Sequence, residues 1–260
     1  MIRTVAATRY VAPLREGGSL PAVVEADDGR QYVLKFRGAG QGRKALIAEL
    51  VAGEIGHALG MPIPEIVFIE LDPALGRSEP DPEIQDLISA SAGLNLGLAY
   101  LPGALAFEPL AAPLAALQLA TTIVWFDAYI TNVDRTARNT NMLLLHRQLW
   151  LIDHGASLYV HYTWAEYLAR SRGTFPQIKD HVLLRYADDL AAADASLSRR
   201  LNHALIQTIV ELIPASWLDG EPSFADNAEH RAAYVAYLLG RLASPRAFVE
   251  EAIDAHSKLV

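Results

Sequence analysis

The alternation of apolar and polar positions divides the chain into a strand-rich first part and a helical remainder. Between residues 8 and 36 the runs "RYVAPLR", "AVVEA" and "QYVLKF" are separated by Gly17-Gly18-Ser19 and by Asp28-Gly29. Asp-Gly between two alternating runs is a hairpin signal, because these residues tolerate the positive φ of a tight turn. A strand meander is therefore expected here. In "QYVLKF" the period of two puts Val33 and Lys35 on one face and Tyr32, Leu34 and Phe36 on the other. Counting out from Asp28-Gly29 sets Val33 opposite Val24 and Lys35 opposite Ala22. A helical period follows from about Arg43 to Leu59 and stops at Gly60, Pro62 and Pro64. "EIVFIEL" then reads as a strand, "DPALGRSEPDPE" as a turn-rich loop, and "LNLGLAYLPGALAF" as a strand running into a Pro-Gly break.

Beyond residue 103 the pattern becomes helical, with one exception. Met142–Leu145 and Leu149–Ile152 read as two short strands joined at Arg147-Gln148. That turn sets Leu145 opposite Trp150, Leu143 opposite Ile152 and Met142 opposite Asp153. The last third, with "ASLSRRLNHALIQTIVELI" and "HRAAYVAYLLGRLA", reads as helical throughout. The order predicts an α+β protein of two lobes. Residues 1–102 form a small β-rich lobe with one helix, and residues 103–260 a larger, mainly helical lobe, joined by a connector near Tyr100–Gly103. A cleft between lobes is a usual place for a ligand. "LAAPLAALQLATTIVWF", Leu110–Phe126, is long and almost free of charge. Pro113, Gln118, Thr121 and Thr122 interrupt it, Asp127 ends it, and no basic flank follows. A buried helix is expected there, not a membrane span.

Composition narrows the function classes. With 52% apolar and 20% charged residues the 260-residue chain can bury a sizeable core. A net charge of -8 argues against an extended nucleic-acid surface. The absence of cysteine excludes disulfides and thiolate metal sites and fits a reducing compartment. Arg3, Arg9 and Arg15 break any apolar run at the N-terminus, so no signal peptide is expected and a cytoplasmic location is.

Candidate chemistry concentrates in "NVDRTARNTNMLLLHRQLWLIDHG", Asn132 to Gly155. The hairpin returns Asp153 to the end where Asn139 and Asn141 leave the preceding loop. Asn139 and Asp153 offer hard oxygen ligands of the kind that hold Mg²⁺ beside substrate phosphates, and Asp134 is then free to accept a proton from a hydroxyl. Lys35, among small apolar neighbours, suits a cation held over a phosphate. Ala45, Glu49, Ala52, Gly53 and Gly56 share one helical stripe on which Glu49 is the single carboxylate. It would point into a close contact and could reach Lys35. The glycines of Gly17-Gly18-Ser19 let backbone amides approach phosphate oxygens. Each feature also has a plainer reading: a snorkelling lysine, an exposed glutamate, ordinary turn chemistry. His57, His146 and His154 lack metal-ligand spacing and read as structural or exposed.

In chain order these are the parts of protein-kinase-type phosphoryl transfer. "YVLKF", "AELVAGEIGHALGMPIPE", "LPGALAF" and "NVDRTARN…LWLIDHG" together resemble the HipA-like kinases, bacterial relatives of protein kinases and phosphatidylinositol kinases. The resemblance covers residues from about 8 to 160. It implies a two-lobed, protein-kinase-like fold and an ATP- and Mg²⁺-dependent kinase acting on a hydroxyl, most readily of Ser or Thr in a protein. A lipid or small-molecule kinase and an inactive nucleotide-binding module are the alternatives. On this basis Lys35 contacts the ATP phosphates, Glu49 orients it, Asp134 is the catalytic base, and Asn139 and Asp153 bind the metal. Gly17, Gly18 and Ser19 cover the phosphates, and Leu98, Ala99, Tyr100 and Leu101 lie near the adenine. Two departures stand out: Asp153-His154-Gly155 where many kinases have Asp-Phe-Gly, and Thr136 where relatives often have His after Asp-Arg. An antitoxin-like protein partner remains an open expectation, because the chain is shorter than the toxin kinases that give the family its name.

Overall fold

The computed structural model describes residues 2–14, 20–40, 42–111 and 113–259. Strands Thr4–Pro13 (β1), Ala22–Ala26 (β2), Gln31–Lys35 (β3), Ile66–Leu71 (β4) and Gly93–Ala99 (β5) close into a barrel in the order β1-β2-β3-β5-β4. β1 completes it by running parallel to β4, Thr4–Ala6 against Phe68–Glu70. Tyr32, Leu34 and Phe36 point into the barrel core with Val24, Val67 and Ile69, while Val33 and Lys35 are half-buried on the other face. The faces are those the alternation predicts, but the register is not. Val33 pairs with Val23 and Leu34 with Ala22. The connection is a three-residue loop, Asp27 to Gly29, with Gly29 at φ 75°, not a two-residue turn. On its other edge Lys35 lies beside Leu96 of β5.

Helix Gly42–Ala58 (α1) begins and ends within one residue of the predicted bounds. Its Leu46, Ile47, Leu50, Val51 and Ile55 belong to the hydrophobic core of the C-terminal helices, apart from the barrel interior. The small-residue stripe has a steric reason, since a β-carbon at Gly53 or Gly56 would run into Ile66 or Ile63. The segment read as a turn-rich loop holds a short 3₁₀ turn, Pro73–Ser78, and the start of helix Pro82–Ala90 (α2). Asp81 caps that helix by accepting from the Glu83 amide at 3.0 Å, and Pro82 follows as its first residue.

The remaining helices are Leu114–Leu117 (α3), Ala120–Ile130 (α4), Tyr167–Ser171 (α5), Leu190–Leu197 (α6), His203–Glu211 (α7), Ala215–Leu218 (α8), Asn227–Leu242 (α9) and Ala247–Ser257 (α10). α4 is buried along most of its length and passes through Asp127, the expected end, to stop at Thr131 in the left-handed region. Asp127 does not end it because its carboxylate is fully paired inside the protein. Arg241 of α9 donates to the Ala128 and Tyr129 carbonyls at 2.7 Å each, satisfying acceptors that a helix end leaves open. The helical run expected over 195–213 is broken, because Asn202 accepts from the Leu205 amide and starts a new helix. Residues 155–189 hold mostly short 3₁₀ turns. No described helix is long and apolar enough to cross a membrane.

A second sheet joins Leu105–Ala106 (β6), Met142–Leu145 (β7) and Gln148–Leu151 (β8). His146 and Arg147 both have positive φ (49° and 67°), so the two-residue turn sits one position earlier than expected. Leu143 therefore faces Trp150 and Met142 faces Leu151, not Ile152 and Asp153. The ladder continues with the Ile152 amide bonded to the Asn141 carbonyl at 3.0 Å. Asp153, at φ 55°, leaves the strand there.

Candidate active site

The last residue of β3, the middle of α1, the loop after α4 and the residue beyond β8 meet at one cavity of about 440 Å³. Lys35, Glu49, Asp134, Asn139 and Asp153 all border it, with Phe36, Gly40, Gly42 and Tyr159 among the other walls. Lys35 Nζ lies 2.6 Å from Asp153 Oδ1 and 3.7 Å from Glu49 Oε2. Burial alone would lower the pKa of Lys35, but the Glu49 and Asp153 carboxylates outweigh it and hold the ammonium charged. Glu49 is only 1% exposed. Burial pushes its carboxyl upward, and the charge of Lys35 and the approach of His154 more than reverse that, holding it below the usual range. His154 Nδ1 stands 3.4 Å from Glu49 Oε1, and the ring packs edge-on against Phe126. His154, at the Phe position of Asp-Phe-Gly, thus combines an aromatic's packing with a polar contact to Glu49.

Across the cavity, Asp134 Oδ2 accepts from Asn139 Nδ2 at 2.7 Å and from Asn141 Nδ2 at 3.1 Å. With its nitrogen turned to Asp134, Asn139 keeps its amide oxygen as the free acceptor. The loop carrying Asp134 is held from beneath. Asn132 Oδ1 accepts from the Asp134 amide at 3.1 Å, and Asn132 Nδ2 donates to Asp127 Oδ1 at 2.9 Å. Arg135 Nε donates to Asp127 Oδ2 at 2.6 Å, and His181 Nε2 reaches the same oxygen at 2.9 Å. Burial would raise the Asp127 pKa, but Arg135 and His181 hold it far below the carboxylate range.

Among the described residues the lining sets one ammonium against three carboxylates, a formal excess of negative charge. Among the described residues Glu49 Oε2 has no hydrogen-bond donor. Hard oxygens with excess negative charge fit a divalent cation such as Mg²⁺, which needs only one or two protein ligands beside phosphates. Among the described residues no group of three or more His, Cys, Asp or Glu forms a metal cage of its own. Leu98 and Ala99 lie on β5 opposite Val33 and Tyr32, and the Tyr100 amide bonds the Gln31 carbonyl. Neither these nor Leu101 lines the cavity. Gly17, Gly18 and Ser19 fall outside the described residues. Sequence reasoning passed over Gly40 and Gly42, although "GAGQG" at 38–42 directly follows the Lys35 strand and opens α1. It also passed over Tyr159 and the supports of the loop. Asp127, a lone carboxylate in an apolar helix, was the available signal.

The profile of the HipA-like kinase family matches residues 8–251. The chain belongs to the HipA-like kinase family. This HipA-like kinase is accordingly a phosphotransferase by family. No curated protein matches it. Among solved structures, CtkA, a proinflammatory kinase of Helicobacter pylori, is similar over 97% of this chain and 98% of its own, with a TM-score of 0.55 at 14% identity. Two structures of the Golgi casein kinase are more distant. One covers all of this chain and 75% of that one, with a TM-score of 0.47 at 12% identity. The other, with Mn/ADP bound, covers 99% and 74%, with a TM-score of 0.48 at 11% identity.

Proposed function

We propose that this HipA-like kinase transfers the γ-phosphoryl group of ATP, with Mg²⁺, to a hydroxyl, and that the hydroxyl is that of Ser or Thr in a protein. The observation that carries the reading is the convergence of Lys35, Glu49, Asp134, Asn139 and Asp153 on one cavity from four separate segments. In this reading residues 1–102 are the nucleotide-binding lobe, and residues 103–260 carry the catalytic loop and the metal-binding hairpin. The sequence shows no basic stripe for a headgroup, which disfavours a lipid acceptor.

Bound Mg²⁺, held by Asn139 and Asp153, would neutralise charge on the phosphate oxygens. Lys35 exchanges its bond to Asp153 for the nucleotide phosphates, and Glu49 keeps it at the cavity wall. Asp134 orients the acceptor hydroxyl and takes its proton. The acceptor oxygen bonds to the γ-phosphorus as the bond to the bridging oxygen breaks and ADP leaves. Two amides already fix Asp134 Oδ2, so little reorganisation is left for the reaction itself. A second reading, a nucleotide-binding module without turnover, draws on the Lys35–Asp153 bond, which is shorter than the Lys35–Glu49 contact.

The test is ATP turnover with Mg²⁺ by the unaltered chain beside Asp134→Ala and Asp153→Asn, with mass spectrometry for a phosphorylated product on the chain, on a protein or on a small molecule. Both substitutions are expected to lower turnover by about 100-fold or more. Turnover unchanged in both would refute the reading. ATP binding without any turnover would establish the second reading in its place.

A further inference from the structure

Beneath the cavity lies a charged cluster, Asp127, Arg135 and His181, that does not line it. Asp127 is fully buried on α4, and Asn132, Arg135 and His181 are buried around it. The Leu183 amide donates to His181 Nδ1 at 3.1 Å, so that nitrogen carries a lone pair and the ring proton sits on Nε2, facing Asp127. Arg135 reaches further. While Nε holds Asp127, Nη1 donates to the Asn141 carbonyl and, at 3.5 Å, to that of Ile152, the residue before Asp153. His181 is joined to the same loop twice more, through the Thr136–His181 bridge and the bond from the Val182 amide to the Arg135 carbonyl.

The contacts of the cluster thus reach both sides of the site, at the Asp134 amide on one and at the Asn141 and Ile152 carbonyls that flank the hairpin on the other. Asn132 fixes the Asp134 amide, and Arg135 fixes the two backbone positions where the hairpin begins and ends. Well-packed apolar residues can often replace a buried ion pair without loss of stability, so stability alone does not account for four polar groups here. Control of spacing does. A displacement of about 1 Å in such a site can cost roughly 100-fold in rate.

We propose that Asp127, Arg135 and His181 are positioning residues for phosphoryl transfer, a buried brace that fixes Asp134 relative to Asp153. The inference rests on the kinase reading above. None of the three borders the cavity, so nucleotide affinity is not their concern.

The brace is tested with His181→Phe, which keeps a ring but removes the Nε2 donor, and with His181→Gln, which restores a donor nitrogen. Arg135→Lys, which keeps the charge on Asp127 but cannot also span to the two carbonyls, serves as a second disrupting variant should His181→Phe fail to fold. Amide hydrogen exchange is followed in the nucleotide-free protein, ADP–Mg²⁺ affinity by calorimetry, and ATP turnover alongside. Peptides covering 132–141 and 152–155 should exchange faster together in the disrupting variant, by about tenfold, while those of α1 and the barrel do not change. Turnover should fall about tenfold or more with ADP affinity within about twofold, and His181→Gln should recover both exchange protection and turnover. Unchanged exchange in the two segments would overturn the proposal, as would faster exchange with full turnover. A lack of turnover in the unaltered chain would instead defeat the kinase reading, and the joint exchange of the two segments would still decide the brace.

Discussion

Replacing Lys35 by methionine removes, among the described residues, the cation that faces Glu49, while keeping most of the side chain's length. Glu49 is left with a buried carboxylate whose remaining polar neighbour is His154, 3.4 Å away. Breaking a buried ion pair from one side typically costs 3–5 kcal/mol. The Lys35–Glu49 separation of 3.7 Å and the 12% exposure of the Lys35 side chain argue for the lower part of that range or below, about 2–3 kcal/mol at pH 7. The bond to Asp153, whose side chain is 39% exposed, adds at most about 1 kcal/mol. The pH dependence gives the sign. In the unaltered protein Glu49 has a depressed pKa, so its contribution is present above the unfolded value and is lost as pH falls through the folded one. Without Lys35, burial dominates and the folded pKa rises above the unfolded value, so stability is lost as pH rises through it. The gap between the two proteins should therefore widen from about pH 4 to pH 7. Removing both charges, as in Lys35→Met with Glu49→Gln, should recover about 1–2 kcal/mol relative to Lys35→Met alone. Urea unfolding of the three proteins at pH 4.5 and 7 measures all of this. A Lys35→Met cost that does not vary with pH, or a double variant no more stable than Lys35→Met, would refute the argument that Glu49 is a buried charge held by Lys35.

Two other substitutions probe the surroundings. His154→Phe keeps the packing on Phe126 but removes the contact to Glu49, so the KM for ATP should rise several-fold while the melting temperature moves by only a few degrees, roughly a 1 kcal/mol effect; steady-state kinetics and a thermal melt check this. At Gly38, just after the Lys35 strand, an added β-carbon would lie 2.8 Å from Ala90 Cβ and 2.9 Å from its carbonyl carbon at the end of α2. Backbone cannot swing aside as a side chain does, so Gly38→Ala should destabilise by about 1–3 kcal/mol in urea unfolding.

The sequence made most of the elements visible and fewer of their registers. Period-two faces of β3 and the small-residue stripe of α1 follow from local rules, and both recur in the structure. Hairpin registers depend on which residues take a positive φ. The pattern alone could not show that His146 and Arg147, neither of them a usual turn residue, would do so. The break at Asn202 was written in a cap residue, but an apolar run on both sides masked it. Five site residues could be named because they are spaced in the order of a known chemistry, and the cavity gathers them. The brace was not legible, because Asp127, Arg135 and His181 are separated by up to 54 positions and only tertiary packing brings them together.

The tripeptide Ile152-Asp153-His154 shows why the site needs the strained backbone that the hairpin ends in. The Ile152 carbonyl accepts from Arg135, the Asp153 carboxylate from Lys35, and the His154 ring meets Glu49. Three successive residues thus address three charged groups, one belonging to the loop after α4, one to the barrel and one to α1. A regular strand would send alternate side chains to opposite faces and keep its carbonyls in the ladder. It could not do this. The left-handed turn at Asp153 costs about 1–2 kcal/mol for a residue other than glycine, and Asn141, bonded to the neighbouring Ile152, shares the same region of φ. That local cost is offset by the charged contacts it permits. It also places the residue that bonds Lys35 next to the carbonyl that accepts from Arg135, and so links the barrel to the loop that carries Asp134.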